Sequence, residues 1–294
     1  MIVLNILWFL LLISCGESSD SPTSYESITS KEGVLNKTIN HEGLNREYLL
    51  YIPDSYQKDK KAPLVFNFHG FGGSASDHFQ YTKMDEVSDK ESFILVYPQG
   101  SLLNGYSHWN SEVQSSTNKS KVDDIGFIKK VIEEISSEYN IDEQRIYTCG
   151  YSNGGFFSYF LGCNTNLFAG VGSVSGTMME KTLDNCNPSH PISVISLHGT
   201  NDYVVPYKGG EGLSSVENSI GFWRSFNNTS KFDEKVFTES KGMDISRFIY
   251  SGGDNNSSVV SYVISGGGHV WFDIDIEGSN TSKIIWNFFS SYSN

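Results

Sequence analysis

Alternating strand and helix signals predict an α/β chain with a mostly parallel central sheet flanked by helices. Three observations carry that expectation. Residues 92–98 (SFILVYP), 145–150 (RIYTCG) and 191–199 (PISVISLHG) are near-continuous apolar runs, as strands buried on both faces require. Segments of helical periodicity lie between them. The 294 residues are 38% hydrophobic and 14% aromatic, enough to fill a sizeable core. Strands alternating with helices imply parallel pairing under two helical layers. Ligand sites then form where loops leave the carboxyl ends of the strands.

Taken in order, residues 1–14 are nearly all apolar and read as a signal peptide, too short to span a bilayer comfortably. Leu12-Ile13-Ser14-Cys15 resembles a bacterial lipobox, with Cys15 as the lipidated first residue of an exported, surface-anchored chain. An ordinary cleaved signal peptide is the alternative. Residues 15–31 are Ser-rich and acidic, a flexible tether. With no internal repeat and no second linker, residues 32–294 form one domain. Residues 46–53 (REYLLYIP) and 62–70 (APLVFNFHG) are strand formers closed by breakers. Ile125, Ile128, Ile132 and Ile135 recur at steps of three, four and three, one face of a helix that Asp123 or Asp124 can cap. Residues 258–266 read as a further strand. Residues 215–227 and 282–292 read as helices.

The net charge of −13 excludes the basic footprint of a nucleic-acid binder and any attraction to anionic membranes. It leaves the lipid anchor as the membrane link and a neutral substrate as the better fit. Of the four cysteines, Cys15 is assigned to the anchor and Cys149 sits in an apolar run as a small buried hydrophobe. A Cys163–Cys186 disulfide suits an exported protein. No CxxC pair occurs, so no zinc site is expected.

Chemistry enters at residues 150–154, GYSNG. Gly-x-Ser-x-Gly between a strand and a helix is a nucleophile elbow, which lifts the Ser152 hydroxyl clear of the sheet. A tight strand–helix turn is the bland alternative. The Asn153 N–H opens the helix and is free to hold an oxyanion. The glycine-rich residues 68–75 (FHGFGGSA) offer the Phe71 N–H as a second donor. Asp202 and His269 follow Ser152 at intervals of 50 and 67 residues, in the order acid, then histidine, that such a site demands. His69 and His198 each precede a glycine at a strand end and read as structural. His41, His78, His108 and His190 lie in polar stretches and are expected to be solvated. Asp123 and Asp124 read as a helix cap and a solvated or loop-bonded acid. Trp271 and Trp109 are candidate aromatic walls for a substrate, with plain packing as the competing reading.

The pieces YLLYIP, PLVFNFHGFGGSA, VYPQG, Trp109-Asn110, VDDIGFI, GYSNGGFFSYFLGC, LHGTNDYVVPY and GGGHVW together resemble the polyhydroxybutyrate-depolymerase-type esterases. These are α/β-hydrolases that also include feruloyl and acetyl xylan esterases. The resemblance runs from about Arg46 to Trp271. It implies Ser152 as nucleophile, Asp202 as its acid and His269 as base, without metal or organic cofactor. It implies a small-molecule or oligosaccharide ester as the partner: feruloyl or acetyl polysaccharide esters, or hydroxybutyrate oligomers. Phe272 stands where the family has proline, which alters the substrate rim. A non-catalytic, hydrolase-like binding protein is the reading from another functional class.

Overall fold

The computed structural model describes residues 31–112, 120–238 and 242–294. The signal segment, Cys15 and nearly all of the tether lie outside the described residues. An antiparallel hairpin of β1 (Val34–His41) and β2 (Leu44–Tyr51) opens the domain. It is followed by β3 (Ala62–Phe68), α1 (Ala75–Thr82), α2 (Asp85–Glu91) and β4 (Ile94–Pro98). A small hairpin, β5 (Ser101–Leu103) with β6 (Tyr106–His108), stands apart from the main sheet. Then come α3 (Asp124–Glu138), β7 (Ile141–Tyr151), α4 (Asn153–Asn164), β8 (Gly170–Val174), α5 (Glu180–Asn185) and β9 (Ser193–Gly199). The chain closes with α6 (Val216–Phe226), β10 (Lys231–Thr238), β11 (Asp244–Ser251), β12 (Val259–Ile264) and α7 (Thr281–Phe289).

The main sheet has ten strands in the order β1-β2-β4-β3-β7-β8-β9-β12-β11-β10. Its middle six, β4 to β12, run parallel, and an antiparallel pair closes each edge. Successive residues of a strand point to opposite faces, and β3 divides accordingly. Leu64, Phe66 and Phe68 enter one core layer with Phe127, Ile128, Phe157 and Trp223 of α3, α4 and α6. Val65 enters the other with Phe79, Val87, Ile285 and Phe289 of α1, α2 and α7. All seven β3 residues are buried, so its unbroken apolar run follows from two covered faces. The α3 face is the expected one: Ile128, Ile132 and Ile135 are buried with Phe127 and Val131. Each such side chain contributes about 1.5–3 kcal/mol on full burial. Asp123 caps α3 by accepting the Gly126 N–H at 2.9 Å.

Among the elements that the sequence reading did not anticipate, β8 and β10 escaped it for opposite reasons. β8 (GVGSV) is central and fully buried yet glycine-rich. A Cβ on Gly172 would stand 2.9 Å from the Cys149 Cβ and 3.2 Å from the Phe289 ring, so α7 and β7 approach where strand-forming side chains cannot fit. β10 (KFDEKVFT) is an edge strand with almost every residue exposed, and it lacks the apolar run of a central strand. Cys163 at the end of α4 is joined to Cys186 just after α5, with the Cα atoms 4.9 Å apart. Cys149 is a buried free thiol.

The histidines divide differently from the expectation. His78 and His108 are buried rather than solvated. His78 stands on the inward face of α1, and its Nε2 lies 2.8 Å from the buried Asn67 Oδ1. His108 closes β6 and donates its Nδ1–H to the Ser101 carbonyl at 2.8 Å. Burial pushes His69 down to about 4, and drives His78 and His198 below the usual histidine range. All three are therefore held neutral in the fold.

Two outcomes follow. Gly172→Ala overpacks the β7–β8–α7 contact and lowers stability by about 1–3 kcal/mol in denaturant unfolding. A melting profile equal to wild type would show that the layer has room. His69, His78 and His198 bind protons less readily folded than unfolded. Stability is therefore fully present above the unfolded pKa near 6.5 and is lost as pH falls toward 4. His69 alone accounts for a loss on the order of 3 kcal/mol. Unfolding at pH 7 and pH 4.5 reads it, and the drop shrinks in His69→Gln.

Candidate active site

Ser152 joins β7 to α4 at φ 54° and ψ −119°, a left-handed conformation that a non-glycine residue adopts only under constraint. The flanking glycines permit it. A Cβ on Gly154 would lie 2.1 Å from the Phe68 carbonyl oxygen, and one on Gly150 would lie 2.5 Å from the Gly154 carbonyl. Both obstacles are backbone, so no rotamer relieves them. The Ser152 N–H donates to the Val174 carbonyl at 2.9 Å, which ties the turn to the end of β8.

Asp202 follows β9. Its Oδ1 accepts the N–H groups of Val204 and Val205 at 2.9 and 2.8 Å, so that oxygen is held by its own turn. Its Oδ2 faces His269 Nδ1 at 2.8 Å. His269 Nε2 in turn lies 2.9 Å from Ser152 Oγ. A carboxylate against Nδ1 fixes the proton there, leaving Nε2 to accept from the serine hydroxyl. The three side chains therefore form one hydrogen-bonded series.

The histidine loop is held at three successive residues. Tyr151 Oη donates to the His269 carbonyl at 2.9 Å, Ser175 Oγ donates to the Val270 carbonyl at 2.8 Å, and the Trp271 N–H donates to Tyr81 Oη at 2.9 Å. Sequence reading missed Tyr81, Tyr151 and Ser175 because a side chain that holds a backbone carries no motif. Gly199 allows the loop to pass: a Cβ there would lie 2.1 Å from the Gly267 oxygen.

The Gly70–Phe71 loop runs beside the elbow. A Cβ on Gly70 would be 3.3 Å from the Ser152 Cβ. His69 fixes this loop, donating Nδ1–H to the Gly70 carbonyl at 2.7 Å and accepting the Gly100 N–H on Nε2 at 3.0 Å. A neutral imidazole is needed for that pattern, and burial keeps it neutral. The N–H groups of Phe71 and Asn153 carry no hydrogen bond among the described residues.

Trp109 ties the two loops together. Its Nε1–H donates to the His69 carbonyl at 3.0 Å. Its backbone N–H and carbonyl both bond the Asn153 side-chain amide, at 2.7 and 3.1 Å. The next residue is anchored too: the Asn110 N–H donates to Asp124 Oδ2 at 2.8 Å, while Arg46 donates to Asp124 Oδ1 at 2.7 Å. Asp124 is thus loop-bonded but buried in an ion pair rather than solvated. Burial pushes its carboxyl up, with Arg46 pulling it the other way.

A cleft of about 500 Å³ opens over Ser152, lined by Asn153, Phe71, Trp109, Phe156, Met179 and Leu213 among others. Trp109 is among the residues at the cleft, and its buried ring stacks on Phe157 at 5.2 Å, as the packing reading expects. Trp271 does not line the cleft. It is buried with its ring against His78, 5.6 Å between centroids, so the substrate wall assigned to it is corrected to core packing. His41, Glu42 and Asp123 bring ligand atoms within 4.8 Å of one another. None lines the cleft, and Asp123 is already engaged with Gly126 and His41.

Known proteins agree with this architecture. A probable feruloyl esterase C of Aspergillus niger is 28% identical over 98% of this chain and 97% of its own length. A bifunctional acetylxylan esterase/xylanase of Neocallimastix patriciarum is 25% identical over 87% of this chain, which spans 35% of that longer protein. Among solved structures, the acetyl xylan esterase of Aspergillus awamori superposes with a TM-score of 0.61 at 13% identity, covering 87% of this chain and 98% of that one. This likeness shows the shared α/β-hydrolase fold. A model of the phospholipase/carboxylesterase family matches residues 55–250; the chain belongs to that family and is a carboxylic-ester hydrolase.

Proposed function

We propose that the protein is an exported serine esterase acting on feruloyl or acetyl groups carried by polysaccharide fragments. The series Ser152 Oγ, His269 Nε2, His269 Nδ1, Asp202 Oδ2 carries the reading. His269 takes the Ser152 proton as Oγ adds to the ester carbonyl. The N–H groups of Phe71 and Asn153 stabilise the oxyanion. The intermediate collapses, His269 returns the proton to the departing sugar oxygen, and the acyl group stays on Ser152 as an ester. Water then attacks that ester by the same route, releasing the acid and restoring the hydroxyl. Asp202 orients His269 and stabilises its charged form. No step needs a metal or organic cofactor.

The substrate class is supported by the feruloyl and acetylxylan esterase relatives and by a mainly apolar cleft over the serine. Export is supported by the N-terminal apolar segment and by the Cys163–Cys186 pairing, which suits an oxidising compartment. Cys15 is the proposed lipid anchor.

Ser152→Ala lowers kcat by roughly 10⁴-fold or more and abolishes labelling by a fluorophosphonate. A wild-type enzyme that turns over no short ester and takes no label would leave a binding protein as the reading. Methyl ferulate, acetylated xylo-oligosaccharide and hydroxybutyrate oligomers compared by kcat/KM decide the acyl group, and faster turnover of the oligomers would overturn the polysaccharide assignment. The anchor is tested separately. Metabolic labelling with a fatty acid marks the wild-type chain and is lost in Cys15→Ala; equal labelling of both would remove Cys15 from the role.

A further inference from the structure

At the mouth of the cleft, the β5–β6 hairpin and the proposed oxyanion loop each hold one aromatic ring in solvent. Phe71 is 56% exposed and Tyr106 60% exposed. Their rings stack with centroids 5.6 Å apart and planes 28° apart. Residues directly opposite in an antiparallel pair share one face, so Tyr106 stands beside Leu103, which lines the cleft together with Phe71. Leu103, Phe71 and Tyr106 thus make one apolar strip running outward from the mouth of the cleft.

The strip is held in place. The Gly72 N–H donates to the Ser107 carbonyl at 2.7 Å, and Ser107 Oγ donates to the Gly73 carbonyl. The hairpin is thereby clipped to the loop that carries the Phe71 N–H. The buried His108 closes its other strand onto Ser101. Two exposed rings that cover mainly each other add little to folding, and an exposed apolar patch at a cleft mouth marks a binding surface.

We propose that this strip is the subsite for the sugar ring that carries the ester, with Tyr106 as its specificity-determining residue. Three features select an uncharged sugar ring. The strip is continuous with the catalytic cleft, so whatever lies on it is joined to the scissile bond. Both exposed side chains are flat aromatic faces, which match the C–H face of a pyranose, while the Tyr106 hydroxyl at the edge can meet a ring hydroxyl. The chain carries a net charge of −13 and no Lys or Arg belongs to the strip, which disfavours an anionic polymer. This inference rests on the proposed hydrolysis of sugar-borne esters.

The test compares Tyr106→Ala with wild type on acetylated xylo-oligosaccharide and on p-nitrophenyl acetate, which has no sugar, with hydroxybutyrate oligomers as a further control. Tyr106→Ala is expected to raise KM for the oligosaccharide ester by roughly five- to tenfold with kcat unchanged, and to leave p-nitrophenyl acetate hydrolysis as it was. Tyr106→Trp restores the wild-type KM. Equal effects on both substrates, or none on either, overturn the subsite. A loss confined to hydroxybutyrate oligomers would instead assign the strip to an aliphatic polyester. Binding of unesterified xylo-oligosaccharide to Ser152→Ala, by calorimetry, separates this proposal from the catalytic one. Binding lost on adding Tyr106→Ala supports the subsite whatever the acyl specificity, and binding indifferent to that change removes it.

Discussion

The contact on which the rest of the site depends is between three backbones: the end of β3, the turn at Ser152 and the first turn of α4. Gly154 lies so near the Phe68 carbonyl that a methyl group there would stand 2.1 Å from its oxygen, and one on Gly150 would stand 2.5 Å from the Gly154 carbonyl. This closeness lets Ser152 sit at φ 54° with its hydroxyl above the strand ends. It also brings the Gly70–Phe71 loop alongside, because that loop leaves β3 directly after Phe68. The strain at one residue is over-determined by packing around it. The same close approach brings the Ser152 hydroxyl beside the loop of the Phe71 N–H, which, like the Asn153 N–H, carries no hydrogen bond among the described residues.

Around that contact the chain places uncharged, fully engaged supports. His69 keeps the loop only as a neutral imidazole, and burial keeps it so. The Asn153 side chain is occupied by Trp109 on both its donor and acceptor sides, which leaves the Asn153 backbone as its contribution to the cleft. His269 is held through its own carbonyl, the Val270 carbonyl and the Trp271 N–H, rather than by bonds to its ring alone. A ring so fixed loses little freedom on binding substrate, which is how positioning lowers a barrier.

What was legible in the sequence follows from the same physics. The central strands read clearly because two covered faces demand unbroken apolar runs. Ser152, Asp202 and His269 read clearly because the elbow and the order of its partners leave residue-specific marks. β8 did not, because its neighbours require glycine where a strand signal would put valine. His78 looked solvated by composition, yet Ala75, His78, Phe79 and Thr82 share the buried face of α1 at helical spacing; that signal was present and outweighed by polarity. Trp271 was placed by its distance from His269 along the chain, and loop geometry turned its ring into the core instead. Tyr81 and Ser175 act through backbone partners distant in sequence, so nothing local could announce them.

The parallel strands and the small hairpin serve different ends. Carboxyl ends of β3, β7 and β9 converge because parallel pairing brings them to one edge of the sheet, and the proposed chemistry sits there. The β5–β6 hairpin belongs to no such pairing. It is joined to the site by the Gly72–Ser107 and Ser107–Gly73 bonds and by the stacking of Tyr106 on Phe71. A change in Tyr106 therefore acts on the mouth of the cleft without passing through the strands that fix the hydroxyl, the imidazole and the carboxylate. Reaction and recognition can vary independently when one rests on the sheet and the other on a clipped hairpin.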